Sequence, residues 1–217
     1  MIKWLKKFID ACLFPKKCLA CNRSGELLCP KCFRCLSIGA PENNHFKSEC
    51  LDRLMAAGDY RQELLREIIK NYKYGFVEDL APYLAKMLII YWQGIINLGD
   101  NNNYLVIPLP LSRKRLAWRG FNQAETLAKI FCQEFSYRLD TSHLKRRDSL
   151  EEQAKLSEKQ RINNIKGCFF WTGGRLEGKN ILLIDDVATS GATMEEAAKI
   201  LKTAGTFSVD GLAVARG

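Results

Sequence analysis

Residues 181–193 read ILLIDDVATSGAT: four apolar residues, two adjacent carboxylates, then a turn of small and hydroxylated residues containing one glycine. The apolar run predicts a strand, and TMEEAAKILKTAG, residues 193–205, has the spacing of a helix that stops at its glycine. Asp185 and Asp186 then stand at the carboxyl edge of a parallel sheet, where open α/β proteins take their ligands. The backbone N–H groups of Ala188, Thr189, Ser190, Gly191, Ala192 and Thr193, carrying little bulk and leading into a helix, form a cradle suited to phosphate. Two acids beside a bare phosphate would only repel it. They suit a sugar phosphate, whose hydroxyls donate hydrogen bonds to the carboxylates while its phosphate sits in the turn.

Working outward, apolar strands alternate with helices. MAAGDY (55–60) predicts a short strand, and 61–75 and 77–99 predict helices. YLVIPLP (104–110) predicts a strand ending in a proline turn, 121–135 a helix, and 136–147 a strand or extended piece. CFFWTG, NILLID and VDGLAVARG predict further strands. This order predicts an α/β domain over 51–217 with a largely parallel sheet flanked by helices. The stretch 146–167 has little apolar surface and reads as a mobile loop followed by a short helix. It would act either as a lid or as a plain connector.

Upstream, five of the nine cysteines lie between Cys18 and Cys35. Cys18–Cys21 and Cys29–Cys32 are two CxxC pairs whose four thiolates suit a structural zinc ion, with Cys35 as a competing ligand at the same spacing from Cys32. Too short to build its own core, the segment would draw folding free energy from the metal. Residues 1–50 therefore read as an amphipathic helix, a small zinc module and a polar linker. No apolar run approaches the roughly 18 to 20 residues of a membrane span, and no signal-peptide pattern opens the chain, which predicts a cytoplasmic protein. The net charge of +9 favours polyanionic ligands without choosing among them.

The stretch 181–193 resembles the phosphoribosyl pyrophosphate (PRPP) signature of type I phosphoribosyltransferases: a hydrophobic strand, two acids, then T-x-G-x-T. The likeness extends over nearly the whole chain. RGFNQA (Arg119 to Ala124), then Leu144, Arg146, Ser149 where threonine is usual, Gln153, Arg161 and Asn164, together with the cysteine module, resemble the ComF competence family. That resemblance implies a zinc module ahead of a phosphoribosyltransferase-like domain. It also implies that Asp185 and Asp186 hold the ribose hydroxyls and that 188–193 hold the 5-phosphate. The turn at Pro108, Leu109 and Pro110 would face the diphosphate, with Arg113, Lys114, Arg115 and Arg119 close behind it. Magnesium would bridge diphosphate and ribose oxygens.

Two functions follow from the resemblance. One is magnesium-dependent phosphoribosyl transfer to an unidentified acceptor, in which positive charge develops on the ribose ring as pyrophosphate leaves. The other is a competence protein of DNA uptake and natural transformation that handles single-stranded DNA alongside competence-machinery proteins, with the PRPP site as a sensor. Trp118 and Phe121 would then stack on bases, unless they belong to the core. Thr189 stands where purine-salvage relatives commonly carry a carboxylate base, which argues against purine salvage.

Overall fold

The structure is a computed structural model that describes residues 16–39, 48–75, 77–99, 103–148 and 167–217. The N-terminal helix expected before Pro15, and Ser149, Gln153, Arg161 and Asn164 of the expected lid region, lie outside the described residues.

Five strands form one sheet: β1 (Arg53–Asp59), β2 (Tyr104–Pro108), β3 (Arg138–Leu139), β6 (Asn180–Ala188) and β7 (Ser208–Arg216), in spatial order β1-β7-β6-β2-β3. Every neighbouring pair is parallel. The remaining two strands, β4 (Leu144–Arg146) and β5 (Phe169–Trp171), pair antiparallel as a separate ribbon, with Leu144 opposite Trp171. CFFWTG is thus a strand as its aromatic residues suggest, but it stands outside the main sheet.

The centre of the sheet is apolar on both faces, as parallel sheets covered by helices require. Along β6, Leu182 and Ile184 face one core while Ile181 and Leu183 face the other, and all four are fully buried. The first core is filled by α2 (Glu63–Tyr74), α3 (Ala81–Asn97) and α5 (Gln123–Phe135). Their inward residues recur at helical spacing, as Leu65, Ile68, Ile69 and Tyr72 do on α2. The second core is covered by α6 (Ala192–Thr203) and by the β4–β5 ribbon. Gly211 lies where α6 crosses β7: a Cβ there would come within 2.5 Å of the Met194 sulfur.

The cysteine module, with its one-turn helix α1 (Pro30–Phe33), is docked on the first core. Cys18 and Leu28 are fully buried and Leu36 nearly so, in continuity with the residues of α2 and α3. The Lys86 ammonium lies 5.2 Å from the centre of the Phe33 ring, Lys16 pairs with Asp79, and the Gly39 N–H donates to the Ala57 carbonyl at 2.8 Å. No helix among the described residues is long and apolar enough to cross a membrane.

Candidate functional site

Because all five strands run the same way, their carboxyl ends share one edge, with Pro108 in register with Ile184 and Ala188 with Arg216. β6 leaves this edge through Asp185 and Asp186 and enters the turn 189–191. Gly191 has φ 77°, the left-handed region that a side chain rarely adopts, and is the residue from which α6 starts. Its glycine identity is what lets the strand turn straight into the helix. The first-turn N–H groups of α6 have no acceptor within the helix and point into the turn. Thr189 and Ser190 are exposed there.

A cleft of about 190 Å³ opens beside this turn, lined among others by Asp185, Asp186, Thr193, Leu109, Arg115 and Arg119. Of the residues singled out in the sequence, Arg115 and Arg119 line it, whereas Arg113 is exposed on α4 (Arg113–Arg119) and is not among its walls. The Arg113 N–H donates to Asp148 Oδ1 at 2.8 Å. The proline turn contributes shape. Pro108 and Pro110 have no N–H, the Leu109 N–H donates to the Ile184 carbonyl at 2.9 Å, and the Leu109 carbonyl accepts from Asn122 Nδ2 at 3.1 Å.

Arg119 departs from a solvated basic helix end: it is 8 % exposed. Ser112 caps α4 by accepting from the Arg115 N–H, and Gly120 at φ 81° stops the helix so that Arg119 turns inward. Its guanidinium donates to Gln123 Oε1 and lies 5.7 Å from the centre of the Tyr74 ring. Arg119 Nε has no protein partner among the described residues.

Lys73 and Tyr74 also wall the cleft, without a signal in the sequence, together with Gln123 of the RGFNQA stretch. Lys73 and Tyr74 end α2, whose fully buried Tyr72 fixes it to α5 by donating to the Gln123 carbonyl at 2.9 Å. From there Lys73 Nζ reaches Asp186 Oδ1 at 2.9 Å. Burial works against the Lys73 ammonium, but Asp186 and then Asp185 more than offset it, so the lysine is held above its ordinary range. Asp186 is 1 % exposed, and its Oδ2 has no protein partner among the described residues. Asp185 accepts the Asp186 N–H at 2.8 Å.

Burial, and next the neighbouring Asp186 charge, push the Asp185 carboxyl up to about 8, with Lys73 opposing. A folded-state pKa above the unfolded one means that the folded chain binds the extra proton. The stability this group contributes is therefore fully present below pH about 4 and is lost as pH rises through about 8. Melting temperature measured from pH 5 to 9 should fall across this window in the parent chain, and the fall should flatten in Asp185→Asn.

In the cysteine module, Cys18, Cys21, Cys29 and Cys32 form a cluster whose sulfurs all lie within 4.8 Å of one another. Cys21 Sγ and Cys29 Sγ are 3.8 Å apart. That is the edge of a tetrahedron whose centre lies about 2.3 Å from each corner, the Zn–S bond length. The Cys29 N–H donates to Cys18 Sγ at 3.4 Å, and the Cys32 backbone N–H holds the Cys29 thiol below its ordinary range. Cys35 stands outside the cluster: it is exposed and its Sγ donates to the Lys31 carbonyl. The four cysteines could hold a metal ion such as zinc.

A parallel sheet flanked by helices, with an acidic pair and a glycine turn into α6 at its carboxyl edge, has the phosphoribosyltransferase-like architecture. The family model "phosphoribosyl transferase domain" matches residues 117–215. The chain is 36% identical over 159 residues to the "Competence protein ComFC" of Bacillus subtilis, covering 73% of this chain and 54% of that protein. It is 28% identical over 208 residues to ComFC of Streptococcus pneumoniae, covering 95% and 89%. It is 27% identical over 206 residues to the "DNA utilization protein YhgH" of Escherichia coli, covering 88% and 86%. A Trypanosoma cruzi hypoxanthine phosphoribosyl transferase overlaps loosely, at 15% identity and TM-score 0.33 over 68% of this chain and 62% of that one. The chain thus carries a phosphoribosyl transferase domain and is similar over most of its length to the ComFC and YhgH proteins.

Proposed function

We propose that the chain binds PRPP at the edge formed by β6 and α6 and transfers its phosphoribosyl group to an acceptor, in the setting of DNA uptake. The carrying observation is the continuity of strand, acidic pair, left-handed Gly191 and helix N-terminus around one cleft. In this reading the first-turn amides of α6 and the Thr189, Ser190 and Thr193 hydroxyls hold the 5-phosphate. Asp185 and Asp186 accept the ribose hydroxyls, and Arg115, Arg119 and Arg146 face the diphosphate. Pyrophosphate departure leaves positive charge on the ribose ring, which Asp185 stabilises from the sheet edge in its ionised form, above pH about 8, while the arginines neutralise the leaving group. Magnesium supplies further neutralisation of the diphosphate when bound. The acidic pair already carries Lys73, so magnesium would enter with the ligand rather than be held by the pair.

Equilibrium dialysis with labelled PRPP tests this reading. One molecule should be retained per chain and displaced by ribose 5-phosphate but not by ribose. No retained label at millimolar PRPP overturns it.

Zinc is the metal proposed for the four cysteines, because four thiolates in a tetrahedron close the coordination sphere and suit a structural ion.

A second reading, interaction with single-stranded DNA, is favoured by the outer face of α4. Arg113, Lys114 and Arg115 are exposed there beside Trp118, which is 57% exposed and 6.1 Å from the Tyr74 ring. Phe121, by contrast, packs 5.3 Å from the buried Tyr72 and is half-buried. Each backbone phosphate neutralised on a single strand releases about 0.7 of a counterion, so affinity should fall steeply between low and physiological salt. Replacing Arg113, Lys114 and Arg115 by glutamate should flatten that slope in a fluorescence-anisotropy titration. An unchanged slope, or no binding at low salt, counts against this face. The cytoplasm and the competence machinery are the proposed setting and partners.

A further inference from the structure

Two adjacent carboxylates at the mouth of a cleft are ordinarily a place for a divalent cation. The geometry here points to a different arrangement. Lys73, from the end of α2, comes to the acidic pair across the first core and sets its ammonium against Asp186 Oδ1 at 2.9 Å, with only 18% of the lysine side chain exposed. Asp186 lies beneath it, 2% exposed in its side chain, with Oδ1 already taken by the ammonium, so a divalent ion would have to displace Lys73 to gather the several oxygens it demands. Lys73 is no chance neighbour. Tyr72, one residue earlier, is fully buried and bonded to the Gln123 carbonyl, which holds the helix end in place.

We propose that Lys73 is the resident cation of the acidic pair: it takes the place beside Asp186 that a divalent ion would otherwise take and so reserves the pair for sugar hydroxyls. This deepens the PRPP reading and rests on it for the identity of the sugar. A divalent ion is admitted only with the ligand, on phosphate oxygens. An ammonium is suited to this post because it is a compact charge with three donors: it can keep Asp186 while turning another N–H to an incoming ribose oxygen. The orphaned Asp186 Oδ2 is the remaining acceptor for that ribose.

The test is a titration of the full chain with Mn2+ alone, read by the electron paramagnetic resonance signal of the free ion, without PRPP. The parent chain should leave the ion free at the acidic pair. Lys73→Gln should bind it at least about tenfold more tightly, because a unit positive charge has been removed from contact with the Asp186 carboxylate. Lys73→Arg, which keeps the charge, should exclude the ion as the parent does. Adding Asp185→Asn to Lys73→Gln should abolish the gain, which places the ion at the pair. Should Lys73→Gln melt too low to titrate, the same readout is its melting temperature, which Mn2+ should raise. Parent-chain binding of Mn2+ that Asp185→Asn removes overturns the proposal, and so does a Lys73→Gln chain that neither binds the ion nor is stabilised by it. A purely structural anchor predicts this last result. Since PRPP is absent throughout, these outcomes can be read even if the chain fails to retain PRPP in dialysis.

Discussion

Replacing both Cys18 and Cys21 with serine should lower the melting temperature of the whole chain, rather than loosen a detached module. Cys18 and Leu28 are fully buried in one core with Leu65, Ile68, Leu84 and Leu88 of α2 and α3. The module's few residues bring their four cysteines into one cluster that could hold a metal ion. Structural zinc contributes on the order of 10 kcal/mol or more to small modules. Even if only several kcal/mol of this is felt by a chain of this size, at roughly 2–4 °C per kcal/mol the transition should drop by about 10 °C or more. The effect should reach the cleft, because α2 carries Lys73 and Tyr74 into it. Elemental analysis should find about one zinc per chain in the parent, and calorimetry should show the lowered transition in the variant. A metal-free chain that melts at the parent temperature contradicts both the zinc assignment and the shared core.

The second large effect concerns the acidic pair, whose members should behave oppositely in the free protein and alike toward ligand. Asp186 is buried against Lys73, so Asp186→Asn leaves a mostly buried ammonium without its partner, a loss of roughly 3–5 kcal/mol where a buried pair is broken. Asp185 is disfavoured in its charged form by burial and by Asp186, so Asp185→Asn should leave the free chain at least as stable as the parent at pH 8. In the proposed site each carboxylate accepts a ribose hydroxyl, a bond worth about 1.5–3 kcal/mol to an ionised acceptor, so each change should weaken PRPP binding by at least about tenfold once the pH exceeds about 8. Stability and affinity are thereby separated: Asp185→Asn weakens the ligand without harming the fold. Melting curves of both single variants at pH 8 check the signs.

What the sequence makes plain is what local pattern controls. The β6 run, the acids at its end and Gly191 are contiguous, and strand burial, edge position and the turn follow from neighbours in the chain. The CxxC spacing is equally local, although only the folded knuckles show that Cys35 faces away. α4 is harder to read because RKRLAWR buries little apart from Arg119 and so lacks an amphipathic stripe; its signals are Ser112 before it and Gly120 after it. The separate β4–β5 ribbon is hidden for another reason: strand propensity does not state which sheet a strand joins. Lys73 and Tyr74 look like the ordinary polar end of an amphipathic helix. Their place at the cleft comes from the packing of α2 on α5, a long-range contact that no spacing within the helix encodes.

The most direct test of the PRPP site is a calorimetric titration of PRPP with magnesium into the parent chain at pH 8.5, where Asp185 is mostly ionised, with Asp185→Asn alongside. One saturable site per chain, with the affinity at least about tenfold weaker in a variant that melts no lower than the parent, is the result the site at β6 and α6 predicts. Equal affinity in the two chains, or no binding to a folded parent, contradicts it.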